Sequence, residues 1–252
     1  MTDIETLRNE LSELDLKIIE LVHRRQVLSE EIGAIKRKKG RPTRDYQREK
    51  LVIELAKSHA KELNVDPEMV VDLMQLLIQS SLKTQESARV KEEGQGNGKR
   101  ALVIGGLGRM GGWFAEFMTM QGYEVHIADI NIQEEDESHF NSWRDTDDSY
   151  DITVLATPLR QSIEILENIL ESGRRGIIFD IASIKSPIKE LLKEISDKGM
   201  KVTSIHPMFG PDTDLLTGKH VVFMNIASHG THLEIMKLFE STTAQMIEMS
   251  ND

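Results

Sequence analysis

Polar side chains stand where helical apolar stripes should continue, and their chemistry is that of anion binding. Apolar residues recur at Ile4, Leu7, Leu11, Leu14, Ile18, Leu21, Leu28, Ile32 and Ile35, in alternating steps that trace the seam of one long helix. Arg25 takes the seam position between Leu21 and Leu28. A guanidinium there is costly to bury unless an anion meets it. Lys36 lies on the same face, three turns along and about 16 Å away, so the two could bracket a dianion. A second apolar face, Val52, Leu55, Ala56 and Leu63, continues from Arg48 and Glu49 just after Asp45. A third, Val70, Leu73, Met74, Leu77 and Ile78, is continued by Ser81 and Gln85. Together these residues describe a polar pocket inside a helical bundle, with arginines and a lysine for carboxylates and Glu49 and Gln85 for neutral hydrogen bonds.

A second constellation begins at residue 100. Residues 101–105 are mostly apolar and β-branched, as in a buried parallel strand. Gly106-x-Gly108-x-x-Gly111 follows, then Trp113, Phe114 and Phe117 at helical spacing. Strand, glycine turn and helix start make a phosphate cradle, because the helix N-terminus aims free N–H groups at a pyrophosphate. The next strand, 124–129, ends in Asp129, where a ribose 2′-OH would be gripped. Dinucleotide binding is expected.

The elements that must position these groups follow from the same patterns. The first helix ends before Gly40 and Pro42, a second opens near Asp45, and Asp66-Pro67 starts a third. Residues 1–88 thus form an all-α three-helix domain. Residues 89–99 contain alternating glycines and no apolar periodicity, and read as a flexible linker. Residues 100–252 alternate strands (152–156, 176–181, 201–205, 220–225, 245–249) with helices (160–172, 187–198, 230–242), the pattern of an α/β doubly wound domain with a parallel sheet. Residues 133–151 are acidic and read as a solvated loop with a short helix. Ligands bind at the carboxyl ends of such strands, which here carry Thr157-Pro158, Ser183 with Lys185, and His206 in a Pro/Gly loop. His206 is the expected proton acceptor.

Composition excludes several classes. The chain has no cysteine, so thiol catalysis and disulfides are ruled out. His220, His229 and His232 do not make a convincing ligand set, and no metal is expected. The net charge of −11 falls wholly after residue 90, and no basic footprint for nucleic acid is present. The N-terminus is acidic and amphipathic and no apolar run approaches ~18 residues, so a cytoplasmic protein without a membrane span is expected.

The first domain resembles the all-helical class of chorismate mutases, through LRNELSELD, HRRQVLSEEIGAIK, RPTRDYQRE and SSLKTQ. The resemblance places substrate residues at Arg8, Arg25, Lys36, Asp45, Arg48, Glu49, Ser81 and Gln85. It implies conversion of chorismate to prephenate, with Lys36 and Gln85 at the ether oxygen, Arg25 and Arg48 on carboxylates and Glu49 on a hydroxyl. Arg8 lies about 25 Å from Arg25 along a straight helix, so one small substrate cannot touch both within one chain. A homodimer is therefore expected, with Arg8 reaching the partner subunit's site.

The second domain resembles prephenate dehydrogenase, through GGLGRMG, DIASIK and IHPMFGP. Joined in this order the two resemble the bifunctional T-proteins of tyrosine synthesis, which implies a Rossmann domain using NAD and yielding 4-hydroxyphenylpyruvate. The cofactor would meet Gly106, Gly108, Arg109, Met110, Gly111, Asp129, Thr157 and Pro158. Asp129 favours NAD over NADP, since no obvious arginine follows it. His206 would act on the substrate hydroxyl, with Ser183 orienting either His206 or that hydroxyl. That family continues into a helical C-terminal dimerisation region that supplies a carboxylate-gripping arginine; it is expected to be missing here, leaving the dehydrogenase pocket incomplete and apolar sheet surface exposed. Two other readings compete. One is a working mutase carrying a truncated Rossmann domain that only binds a nucleotide or effector, which the retained His206 loop opposes. The other, a helical dimerisation module on an unrelated dehydrogenase, leaves the charged seam without a purpose.

Overall fold

Acidic residues set the helix starts in the first part of the chain. Asp3 precedes α1 (Ile4–Lys38), which has Glu5 in its first turn and Lys36, Arg37 and Lys38 in its last, an order that suits the helix dipole. Asp45 caps α2 (Tyr46–Glu62), its carboxylate accepting the Arg48 N–H at 3.0 Å. Asp66 accepts the Glu68 N–H at 3.0 Å at the start of α3 (Pro67–Glu92). The computed structural model describes residues 3–226 and 230–250. The chain divides into two units, Met1–Ala88 and Arg89–Asp252. In the helical unit the seam residues Ile4, Leu7, Leu11, Leu14, Ile18 and Leu21 are 52% to 67% exposed.

The second unit is a sheet covered by helices. Its elements are β1 (Arg100–Ile104), α4 (Arg109–Met120), β2 (Glu124–Ala128), β3 (His139–Phe140), β4 (Ile152–Leu155), α5 (Leu159–Ser172), β5 (Ile177–Asp180), α6 (Ser186–Asp197), β6 (Lys201–Pro207), β7 (His220–Met224), α7 (Thr231–Glu240) and β8 (Gln245–Met249). The strand order is β3-β2-β1-β4-β5-β6-β7-β8. Two buried clusters fill it. One is aromatic, around Phe114, Phe179, Phe223 and Phe239. The other is aliphatic, around Leu155, Leu166, Ile188 and Leu192.

Three features differ from the expectations. First, the sheet is not wholly parallel: β7 runs antiparallel to β6, and β8 parallel to β7. The connection 208–219 contains no helix, and without a crossover element the chain can only turn back. Second, the acidic stretch 133–151 is more than a solvated loop with the expected short helical turn. It contains β3 and a short 3-10 turn (Trp143–Asp145), and Tyr150 is buried in the aliphatic cluster with Phe140 and Trp143 packed against it. Third, the stretch 89–99 is structured rather than a free tether. α3 runs to Glu92, Val90 is buried in the aromatic cluster, the Gly96 N–H donates to Gln121 O at 2.8 Å and the Gly98 N–H donates to Gly122 O at 3.0 Å. A Cβ at Gly94 or Gly96 would overlap the backbone of Gln121 or Gly122, so these glycines serve close approach, not flexibility.

At the sheet's far edge β8 leaves Met246, Ile247 and Met249 exposed. Among the described residues no helix is long and apolar enough to cross a membrane. The aromatic cluster gives a direct test of the core. Phe179 is fully buried with its ring edge-on to Phe114 at 5.9 Å, and Phe179→Ala should cost about 3–5 kcal/mol of unfolding free energy in urea titrations.

Candidate functional site

The helical unit encloses a cavity of about 760 Å³ between its three helices. Arg25 and Lys36 reach it from α1, Asp45, Arg48 and Glu49 from the start of α2, and Ser81 and Gln85 from α3. Seven of the eight expected substrate residues therefore line one cavity, whose apolar wall includes Ile32, Val52 and Leu55. Arg8 is exposed on α1 and does not line it.

Six of these seven side chains, all but Arg48, are anchored on the protein. Arg25 Nη1 donates to Leu77 O at 2.6 Å and to the Ser81 hydroxyl, and burial lowers its affinity for its proton. Lys36 Nζ donates to Thr43 O at 2.7 Å. Gln85 Nε2 donates to Ser29 Oγ at 2.7 Å. The Glu49 carboxylate is held two-pronged by Arg44, with Nε on Oε1 and Nη2 on Oε2, both at 3.0 Å. Arg44 itself lies 4.4 Å from the Tyr46 ring centroid. Sequence reasoning missed Ser29 and Arg44. Ser29 stands one turn beyond Arg25 on the face of Gly33, and that spacing was the available signal.

In the α/β unit the glycine turn is tighter than its motif suggests. The left-handed residue is Gly105, at φ +84°, which the sequence had placed inside the strand. A Cβ at Gly111 would overlap Gly105 O, and one at Gly106 would stand 2.5 Å from Ile127 Cγ2. Gly106 and Gly111 thus pack the loop from behind, while Gly108 faces a cavity of about 560 Å³ together with Asp129, Thr157 and Pro158. Asp129 Oδ2 accepts the Leu107 N–H at 3.1 Å, tying the second strand to the loop. Arg109 points elsewhere, to Asp212 at 2.6 Å, and Met110 packs on the aromatic cluster. The fold also brings Arg144 to this cavity, an arginine that sequence inspection after Asp129 overlooked; its Nη2 donates to Asn168 Oδ1 at 3.0 Å.

His206 is the penultimate residue of β6, half-buried, and its Nδ1 is buried without a partner. Lys185 is the residue whose charge reaches it. Lys185 Nζ donates to Asp180 Oδ1 at 3.0 Å and to Ile205 O at 2.7 Å, whereas Ser183 is exposed and no hydrogen bond joins it to His206. Burial, and then the Lys185 charge, hold the His206 ring below the ordinary histidine range. Burial likewise lowers Lys185, opposed by Asp180. Of the histidines considered for a metal, His232 pairs with Glu248 at 3.0 Å, and His229 lies outside the described residues.

The family described as prephenate dehydrogenase, nucleotide-binding domain, matches residues 116–248, and chorismate mutase type II matches residues 7–86. The chain belongs to both families. It is 31% identical to the chorismate mutase of Methanocaldococcus jannaschii over 94 residues, which cover 93% of that protein and 37% of this chain. It is 23% identical to the T-protein of Haemophilus influenzae over 224 residues, 88% of this chain and 56% of that protein. The chain therefore spans little more than half the length of that relative. A solved prephenate dehydrogenase from Aquifex aeolicus has the same α/β fold, with a TM-score of 0.50 and 23% identity over 60% of this chain and 61% of that one.

The environment of His206 makes a prediction about pH. An NMR titration of the ring should give a midpoint below the ordinary value of about 6.5, and Lys185→Gln should move it upward. As pH falls from that ordinary value toward the depressed one, the unfolded chain takes a proton that the native ring refuses. His206 thus lowers stability as pH falls through that window and has no effect above it. A midpoint unmoved in the variant would show that the lysine charge does not reach the ring.

Proposed function

We propose that this chain is a bifunctional cytoplasmic enzyme of tyrosine synthesis. The helical unit rearranges chorismate to prephenate, and the α/β unit converts prephenate to 4-hydroxyphenylpyruvate with NAD. One observation carries the reading: seven side chains suited to a dicarboxylate meet at a single cavity, and six of them, all but Arg48, are tied to the protein by hydrogen bonds. The rearrangement needs no cofactor and no covalent intermediate. It needs the substrate held in its reactive shape and the negative charge on the ether oxygen stabilised. Arg25 and Arg48 take the carboxylates, Lys36 and Gln85 donate to the ether oxygen, and Glu49, steadied by Arg44, receives a substrate hydroxyl. Ser81 keeps Arg25 aimed, and Asp45 fixes the turn that presents Arg48.

In the second unit the residues fit a dinucleotide: Gly105 and Gly111 have no room for a Cβ and so permit the tight turn, and Gly108 faces the cavity, where the lack of a side chain lets a pyrophosphate approach the backbone. Gly106, Gly108, Arg109, Met110 and Gly111 form that loop, Asp129 receives the ribose hydroxyl, and Thr157 and Pro158 border the nicotinamide end. NAD, when bound, supplies the hydride acceptor. His206 takes the proton of the substrate's ring hydroxyl as carbon dioxide leaves, and Ser183 borders the substrate. Asp129 disfavours a 2′-phosphate, and Arg144 is engaged by Asn168; NAD should therefore be used far better than NADP, and equal use would remove Asp129 as the discriminator.

We further propose a homodimer in which the exposed seam of α1 pairs with its copy and Arg8 completes the partner subunit's site. Sedimentation should give a dimer, and Arg8→Ala should lower mutase activity; an active monomer would sink this part. The two activities are separable by assay, as chorismate loss without cofactor and as NADH formation from prephenate. Gln85→Ala should lower the first by about 10²–10³-fold and leave the second. His206→Asn should lower the second by about 10²–10⁴-fold and leave the first. A wild-type chain with neither activity overturns the reading.

A further inference from the structure

The Gln85 amide is held at one end only. It is 7% exposed on α3, its Nε2 donates to Ser29 Oγ at 2.7 Å, and its Oε1 is buried with no hydrogen-bond partner. Its stem is fixed too. A Cβ at Gly33 would stand 2.8 Å from Gln85 Cγ and 3.3 Å from Cδ, so the glycine makes the seat in which the side chain lies. A buried amide oxygen left without a donor is unfavourable. The two ends of an amide have nearly the same shape, and a half-turn about the last torsion exchanges them. Ser29 offers a hydroxyl, which can donate as well as accept. After the exchange the Ser29 O–H donates to Oε1, the orphan is satisfied, and both amide N–H groups are free for an oxygen in the cavity.

We propose that Ser29 is a positioning residue for the chemistry of the helical unit: its hydroxyl holds the Gln85 amide with the N–H groups turned toward the reacting oxygen. The inference rests on the mutase reading, in which that oxygen gains negative charge and needs a donor. An amide held by nothing would present its oxygen as readily as its nitrogen, and an oxygen there repels the developing charge. Ser29 is itself buried, 8% exposed, and sits on α1 one turn from Arg25 and one turn from Gly33, so it faces the cavity and the seat together.

The test uses the full 252-residue chain. Ser29→Ala puts a better helix former in the middle of α1, so the fold should be kept, as circular dichroism and Tm will report. Its mutase kcat should fall about three- to tenfold, the worth of one net hydrogen bond, with KM within about twofold. A second arm reads the contact itself. In a Gln85→Glu background the introduced carboxyl must be protonated to donate, so mutase activity is lost as pH rises. A Ser29 hydroxyl that donates to this group favours its ionised form. Adding Ser29→Ala should therefore carry the midpoint of that loss to higher pH. A hydroxyl that merely supported helix packing would leave the midpoint in place. Unchanged kcat in Ser29→Ala, or an unmoved or lowered midpoint in the double variant, overturns the proposal while the wild-type chain remains an active mutase. A wild-type chain without mutase activity overturns the functional reading and this inference together, and the wild-type assay alone tells the two cases apart.

Discussion

A polar atom taken out of water must find another partner, and that constraint organises both units. In the helical unit Arg25, Lys36, Glu49 and Gln85 each have at least one protein partner that fixes their direction and capacity left for something else. Arg25 shows the logic: a backbone carbonyl and a serine hydroxyl take one terminal nitrogen, and the rest of the planar fork still has donors to offer. A cavity built this way is preorganised for an anionic ligand, because the groups need not be drawn out of solvent when the ligand arrives.

Much of the fold was legible because its elements obey simple periods. The seam of α1, the caps of α2 and α3, and the buried strands β1, β4 and β5 follow directly from apolar spacing and acidic helix starts. What escaped was decided by contacts distant in sequence. The reversal at β7 depends on a connection with no helix in it, which period counting does not register. In 133–151 the acidic residues hid Phe140, Trp143 and Tyr150, three aromatics that anchor the segment despite its charge. Gly94 and Gly96 carried a composition typical of tethers, yet their missing side chains are what let the backbone lie against Gln121 and Gly122.

The candidate sites divide along the same line. Residues that interrupt an apolar stripe, such as Arg25 and Gln85, announce themselves, because a charge or amide on a core-facing position needs an explanation. Their supporting residues do not. Ser29 and Arg44 are ordinary types at ordinary positions, and only the approach of another side chain gives them a role. Gly105 escaped for a different reason: a motif counted from Gly106 assigns the tight turn one residue too late, and only the sign of φ reveals where the chain turns.

The Asp180–Lys185 pair beside His206 shows what such arrangements cost and supply. Removing two charges from water is unfavourable, and a pair of apolar residues of similar volume is often as stable or more so. The pair is therefore weak as an argument for stability. Its placement is more telling: Asp180 and Ile205 O pin the lysine so that its positive charge faces the ring. Burial alone lowers the proton affinity of a histidine, and an immobile cation lowers it further. Both act toward one end, a ring that stays neutral and able to accept a proton at pH values where an exposed histidine would already be charged. A mobile surface lysine would be screened by solvent and salt. A buried one, fixed by a carboxylate on the neighbouring strand's end, is not.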